Sequence, residues 1–241
     1  MINLFLASLK FLTILPISNK KQEVDYKIMI FFPTVAFIIG SLCYFVFVML
    51  NKILDLKVSV FFILSFYIII SDFFHLDGFV DTIDALFSFK KDKLQILKDP
   101  HIGAVGAIYL VLIIFAKYVL LVNAKNIGIC ILLLPVYSKT ALCIIGFFGK
   151  KMHNEGIGKN FLYSDFKVLI LSLVSSVAIC LLVLKKVYLI FGLFLINFFV
   201  SFLLSKYFSY KLKGINGDVF GFVNEILEVV FLFIFNLSFM E

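Results

Sequence analysis

Runs of about 18 or more apolar residues recur along nearly the whole chain, and no other property narrows the available folds so far. In hydrocarbon every backbone N–H and C=O must find a partner within the protein, so such runs become helices that pack side by side. The chain has 241 residues, of which 63% are hydrophobic and 15% charged, leaner in charge than the roughly 25% of ordinary soluble domains. The expected fold is all-α: a polytopic membrane helical bundle, one domain over residues 1–241, with no visible linker, repeat or low-complexity tract. Candidate crossings fall at residues 31–50, 58–74, 104–122, 127–148, 167–184, 187–205 and 225–239, about seven in all. Residues 2–15 are apolar but broken by Asn3 and Lys10, which suits an interfacial or re-entrant helix. They lack a basic leader and a small-residue cleavage site, so a retained segment is expected.

The lysines set the orientation. With a cytoplasmic N-terminus, that side collects Lys10, Lys20, Lys21 and Lys27, then Lys90, Lys91, Lys93 and Lys98, then Lys150, Lys151 and Lys159, and finally Lys206, Lys211 and Lys213. The other side keeps Lys52, Lys57, Lys125, Lys185 and Lys186. The chain has no arginine, so an anionic substrate would be held by lysines, backbone amides or a metal. A net charge of +7 is ordinary for a membrane protein, and no basic, aromatic-rich surface stretch points to nucleic acid. Cys43, Cys130, Cys143 and Cys180 sit in apolar sequence without metal-ligand spacing and read as buried small hydrophobes.

Chemistry concentrates between Ser71 and Gly106. Asp77, Asp81 and Asp84 stand at i, i+4 and i+7, on one face of a helix. Such a cluster persists if a cation sits among the carboxylates, if some are protonated, or if water surrounds them at a cytoplasmic helix end. Gly78 leaves room beside Asp77, and His75 precedes it by two; this HxDGxxDxxD arrangement suits hard-cation binding and, through the cation, a diphosphate. The following KDPHIGAVG opens a helix at Gly103, whose N-terminal N–H groups favour an anion, with Lys98 beside them. An ordinary turn explains that stretch equally well. Near the C-terminus, KGINGDVFGFVNEILE places Asp218, Gly221 and Glu225 on one helix face, with Glu228 close behind. Carboxylates so deep in an apolar run need partners, and Lys139 is a candidate.

HLDGFVDTIDALF, LKDPHIGAVG and LKGINGDVFGFVNEILEV, together with FLTILP and FFPTVAFIIG, resemble the cobalamin synthase family in the family's order along the whole chain. The resemblance implies a multi-pass enzyme of the cytoplasmic (inner) cell membrane, Mg²⁺-dependent, with its active site facing the cytoplasm. It would join adenosylcobinamide-GDP to α-ribazole, or to its 5′-phosphate, and release GMP, late in vitamin B12 assembly. Carried over by motif, Asp77, Asp81 and Asp84 would bind metal, and Asp84, Asp81 and His75 would serve catalysis, with Asp84 chosen as general base by analogy with CDP-alcohol phosphotransferases. Gly78, Lys98, Asp99, Gly103, Lys139, Gly217, Asp218, Gly221, Glu225 and Glu228 would contribute to substrate binding. Departures from the family pattern are Ala85 for glycine, and Ile14 and Lys139 for arginine. Monomer and homo-oligomer are both left open. A CDP-alcohol phosphatidyltransferase would require DGxxAR where this chain reads DGFVDT, and an ion-coupled transporter would require the aspartates near the bilayer midplane.

Overall fold

The structure is a computed structural model that describes residues 1–15, 25–88, 97, 101–152 and 157–238, apart from the side chains at 72 and 157. Nine α-helices and no strand occur among the described residues: α1 (Ile2–Leu12), α2 (Phe32–Leu50), α3 (Leu56–Tyr67), α4 (Phe73–Phe87), α5 (Ala104–Val122), α6 (Ile127–Phe148), α7 (Phe166–Val183), α8 (Val187–Lys211) and α9 (Gly217–Leu237). A 3-10 turn, Tyr26–Phe31, leads into α2; another, Ile157–Phe161, precedes α7; and a π-turn, Ile68–Asp72, separates α3 from α4.

Helix α6 is the central post. Nearly every side chain from Cys130 to Gly146 is buried, and α2, α7, α8 and α9 all pack on it. A helix apolar on all sides is stable only when surrounded. Gly40 of α2 lies against the Leu132 carbonyl of α6, a closeness that no side chain at 40 would permit. The outer helices keep apolar faces for lipid: Ile108, Val111, Leu112 and Phe115 of α5 are exposed, as are Phe191, Leu195 and Phe199 of α8. All four cysteines are buried and unbridged, as their apolar settings imply.

Among the described residues five helices are long and apolar enough to cross a membrane: Tyr26–Leu50, Ala104–Val122, Ile127–Phe148, Phe166–Val183 and Val187–Lys211. A sixth crossing exists if Leu56–Ser71 and Phe73–Phe87, bent by 85°, form one broken span. By length and composition the described residues thus give five or six crossings where about seven were expected. The segment expected at 58–74 ends in that bend, which turns the aspartate-bearing α4 aside. The segment expected at 225–239 is the latter part of α9, an inner helix packed on α4, α5, α6 and α8. Helix α1 is 11 residues long, about 16 Å, too short for a bilayer core of about 30 Å, in keeping with an interfacial or re-entrant element. Its end is tied to the bend by Ile14 N–H donating to Ile70 O at 2.9 Å.

Candidate active site

Helices α4 and α9 cross through glycine. A Cβ on Gly78 would sit 2.7 Å from Asp218 Cα, and one on Gly221 would sit 2.5 Å from His75 O. The room that Gly78 leaves is thus filled by the backbone of Asp218 rather than kept for a ligand, and Gly221 serves the same contact from the other side. Phe79 stacks on Phe222 beside the crossing, with ring centroids 5.5 Å apart. This crossing brings two motifs more than a hundred residues apart into one place: the carboxylates of Asp218, Asp77 and Asp84 all bear electrostatically on Asp81. Asp77 is exposed, while Asp81, Asp84 and Asp218 are half-buried. No lysine pairs with Asp77, Asp81 or Asp218 among the described residues. Nor do three His, Cys, Asp or Glu side chains there stand close enough together to chelate a metal unaided.

Asp84 has different neighbours. Its Oδ2 accepts from Gly103 N–H and its Oδ1 from Gly106 N–H, each at 2.8 Å. The anion expected at the N-terminus of α5 is therefore a side chain of the same protein, capping the helix and joining α4 to α5. Gly103 and Gly106 are small because that carboxylate lies where their side chains would be. His101 is exposed, and Lys98 and Asp99 lie outside the described residues.

A cavity of about 520 Å³ opens beside the aspartates, within the usual size range for a small-molecule site. Asp77, His75, Asn216, Gly217 and Asp218 line one part of it, and Phe11, Phe32, Phe161 and Phe220 supply apolar walls. His75 Nδ1 lies 3.2 Å from Ser71 O. In the tautomer that donates there, Nε2 is the ring's acceptor nitrogen. Asn216 caps α9, its Oδ1 accepting from Val219 N–H at 3.2 Å, while its Nδ2 donates to Asp218 Oδ2 at 2.6 Å. The chain reaches this cap through Gly214 at φ +152°, a conformation L side chains rarely adopt, with Ile215 N–H donating to Lys150 O at 2.8 Å.

Glu225, Glu228 and Lys139 lie elsewhere. All three are fully buried in the bundle and none lines the cavity, so the substrate contacts expected of them are replaced by contacts to one another and to Lys117. Lys117 Nζ of α5 is 2.5 Å from Glu225 Oε2 and 2.5 Å from Glu228 Oε2. Lys139 Nζ of α6 donates to Asn224 Oδ1 at 2.7 Å and stands 3.8 Å from Glu228 Oε1, the pairing its sequence position suggested. Tyr67 and Ser138 hydroxyls donate to Glu228 Oε1 at 2.5 and 3.1 Å, and Asn224 Nδ2 donates to Glu225 Oε1 at 3.0 Å. Two cations meet two anions, so a group ruinous in pieces is tolerable whole. Lys117 escaped the sequence reading, although a lone lysine in the middle of an apolar run of 19 residues is itself a sign that an acid must meet it.

The sequence model of the cobalamin-5-phosphate synthase family matches residues 4–236. An adenosylcobinamide-GDP ribazoletransferase of Thermodesulfovibrio yellowstonii is 33% identical, over 99% of this chain and 97% of its own length. Proteins of the same name from Clostridium botulinum (strain Langeland) and Thermoanaerobacter sp. (strain X514) are 30% and 29% identical, over 97% and 95% of this chain and 97% and 94% of theirs. No solved structure matches the chain.

Proposed function

The chain belongs to the cobalamin-5-phosphate synthase family, and from that premise we propose that it joins adenosylcobinamide-GDP to α-ribazole or its 5′-phosphate at the α4–α9 crossing. A hydroxyl oxygen of the acceptor attacks the phosphorus nearer the cobinamide. A new P–O bond forms, the bond from that phosphorus to the bridging diphosphate oxygen breaks, GMP carries away the electron pair, and the hydroxyl proton passes to a base.

One observation carries the placement: Asp77 of α4 and Asp218 of α9 line one nucleotide-sized cavity, both bear electrostatically on Asp81, and none of the three is ion-paired to a lysine among the described residues. The reaction involves a doubly anionic diphosphate, which would be repelled by these carboxylates alone. A divalent cation reconciles the two. Mg²⁺ keeps several waters and is held by one or two carboxylates plus substrate phosphates, so the lack of a ready-made cage of three side chains suits it. Asp77 and Asp218, the carboxylates in the cavity lining, are the residues that would hold it, with Asp81 adding its charge beside them, and when bound it would polarise the attacked phosphoryl group and neutralise charge on the departing phosphate.

The protein's own groups do the rest. The glycine crossing sets the spacing between the two aspartate-bearing helices. The aromatic walls exclude water from the acceptor. His75, in the cavity lining with Nδ1 toward Ser71 O, is the group we assign to take the hydroxyl proton at Nε2. Asp84, with an oxygen committed to each of two backbone donors, is assigned to positioning α5 in place of the general-base role. The lysine asymmetry supports a cytoplasmic orientation of the cavity end and residence in the cytoplasmic membrane.

The decisive assay reconstitutes the full chain in lipid nanodiscs with adenosylcobinamide-GDP and α-ribazole, with Mg²⁺ or with EDTA, and measures GMP and the joined corrinoid. Product with Mg²⁺ and none with EDTA is expected. Equal turnover in the two would remove the metal, and no turnover in either would remove the activity.

A further inference from the structure

One hydroxyl in the cavity wall lacks the bond that its burial calls for. Ser71 is 7% exposed, and of the buried side-chain oxygens without a hydrogen-bond partner among the described residues, its Oγ is the one that belongs to the cavity lining. A serine inside a helix commonly turns its hydroxyl back to the carbonyl one turn earlier, as Ser41 does to Phe37 O at 2.7 Å and Ser65 to Phe61 O at 2.9 Å. Ser71 does not. It sits in the π-turn Ile68–Asp72, a wide turn of the kind that recurs at functional sites. Its carbonyl is in use, 3.2 Å from His75 Nδ1, so one residue steers the assigned base through its backbone and carries an unused hydroxyl in the same wall.

The uncharged polar neighbours are already engaged. Thr13 Oγ1 donates to Leu9 O at 2.7 Å, and Asn216 is divided between Val219 N–H and Asp218. For a neutral hydroxyl on a substrate, Ser71 remains. About 520 Å³ holds a nucleoside but not a corrinoid, so the cavity takes the acceptor. In α-ribazole 5′-phosphate the 5′-oxygen is esterified, so the nucleophile is one of the two other ribose hydroxyls, and those stand on adjacent carbons. Resting on the function proposed above, we propose that Ser71 Oγ hydrogen-bonds the ribose hydroxyl beside the nucleophile, which makes it a specificity-determining residue that requires an intact vicinal diol in the acceptor. With one hydroxyl held by Ser71, its neighbour is turned toward His75 Nε2, whose ring already reaches back to the Ser71 carbonyl. A buried hydroxyl without a partner is costly, and the bond made on binding relieves that cost.

The test pairs a changed enzyme with a changed substrate: the reconstituted full chain with Mg²⁺ and saturating adenosylcobinamide-GDP is given α-ribazole 5′-phosphate or its 2′-deoxy and 3′-deoxy analogues. The analogue that lacks the nucleophile gives no product, and the other is the probe. The wild type should lose about 10-fold in kcat/KM on the probe, and Ser71→Ala should lose about 10-fold on the intact acceptor. On the probe Ser71→Ala should fall no more than about twofold below the wild type, because the bond is already gone. Its KM for adenosylcobinamide-GDP should not move, and its unfolding midpoint should be unchanged or raised, since alanine deletes an unpaired hydroxyl. Losses that multiply to about 100-fold, which would give the hydroxyl to a bound water, would overturn the assignment while leaving the overall reaction standing. So would a Ser71→Ala as active as wild type on the intact acceptor, or one with a lowered midpoint. A wild type that joins no acceptor would instead overturn the reaction itself, and this inference with it.

Discussion

Helix α9 carries acids at two levels. Asp218, in its first turn, acts electrostatically on Asp81 together with Asp77, and none of the three is ion-paired to a lysine among the described residues. Glu225 and Glu228, about 10 Å and more further along, are fully buried yet held by Lys117, Lys139, Tyr67, Ser138 and Asn224. Depth alone would have marked the glutamates as the more functional pair, since ionisable groups inside a membrane are costly. Partnership reverses that ranking. Charges neutralised within the protein hold helices together, and charges left for something from outside are the ones available to a substrate.

The sharpest way to break the contrast is to remove charge at each level and read both turnover and stability. Asp81→Asn should lower turnover about 10³-fold while leaving the unfolding midpoint unchanged or slightly raised, because a repulsion is relieved; GMP release and a circular-dichroism melt report the two, the chain having no tryptophan to follow. His75→Gln, judged by kcat at saturating substrates, should lose about 10²-fold without a change in fold. Lys117→Met should do the reverse of Asp81→Asn, costing about 3–5 kcal/mol of stability by stranding two glutamates, and adding Glu225→Gln should recover part of it. If Lys117→Met lowered turnover in a protein of undiminished stability, the core network would join the active site and the contrast would fail.

Smaller changes refine the same picture. Gly78→Ala should cost about 1–3 kcal/mol and also depress turnover, since the new methyl meets the backbone of Asp218 and forces the two aspartate-bearing helices apart. Asp84→Ala should cost about 1 kcal/mol through loss of the α5 cap, whereas Asp84→Asn should keep turnover within about tenfold of wild type. A thousandfold loss in Asp84→Asn would return that residue to the chemical step.

What the sequence made legible follows from where the physics is local. Hydropathy marked α2, α5, α6, α7 and α8, because a lipid-compatible helix announces itself by composition. The spacing of Asp77, Asp81 and Asp84 placed them on one helix face, and the deep glutamates called for a cation that Lys139 partly supplies. Tertiary matters were hidden. Nothing within residues 103–106 says that their anion is Asp84, and a glycine beside an aspartate reads alike whether a ligand or another helix fills the gap, as Gly78 demonstrates. The 85° bend before α4 has no proline or glycine to foretell it; Ile68–Asp72 is a π-turn in a run of isoleucines.

The core network also bears on how such a chain is made. Lys117 and Lys139 are translated about a hundred residues before the glutamates that receive them. Until the C-terminal helix is delivered, the nascent bundle must shelter two ammonium groups in oil, each costing about 2.5–3.5 kcal/mol on insertion scales. The last helix therefore acts as a latch, and a product truncated before Glu225 would leave the ribosome with its membrane assembly unfinished.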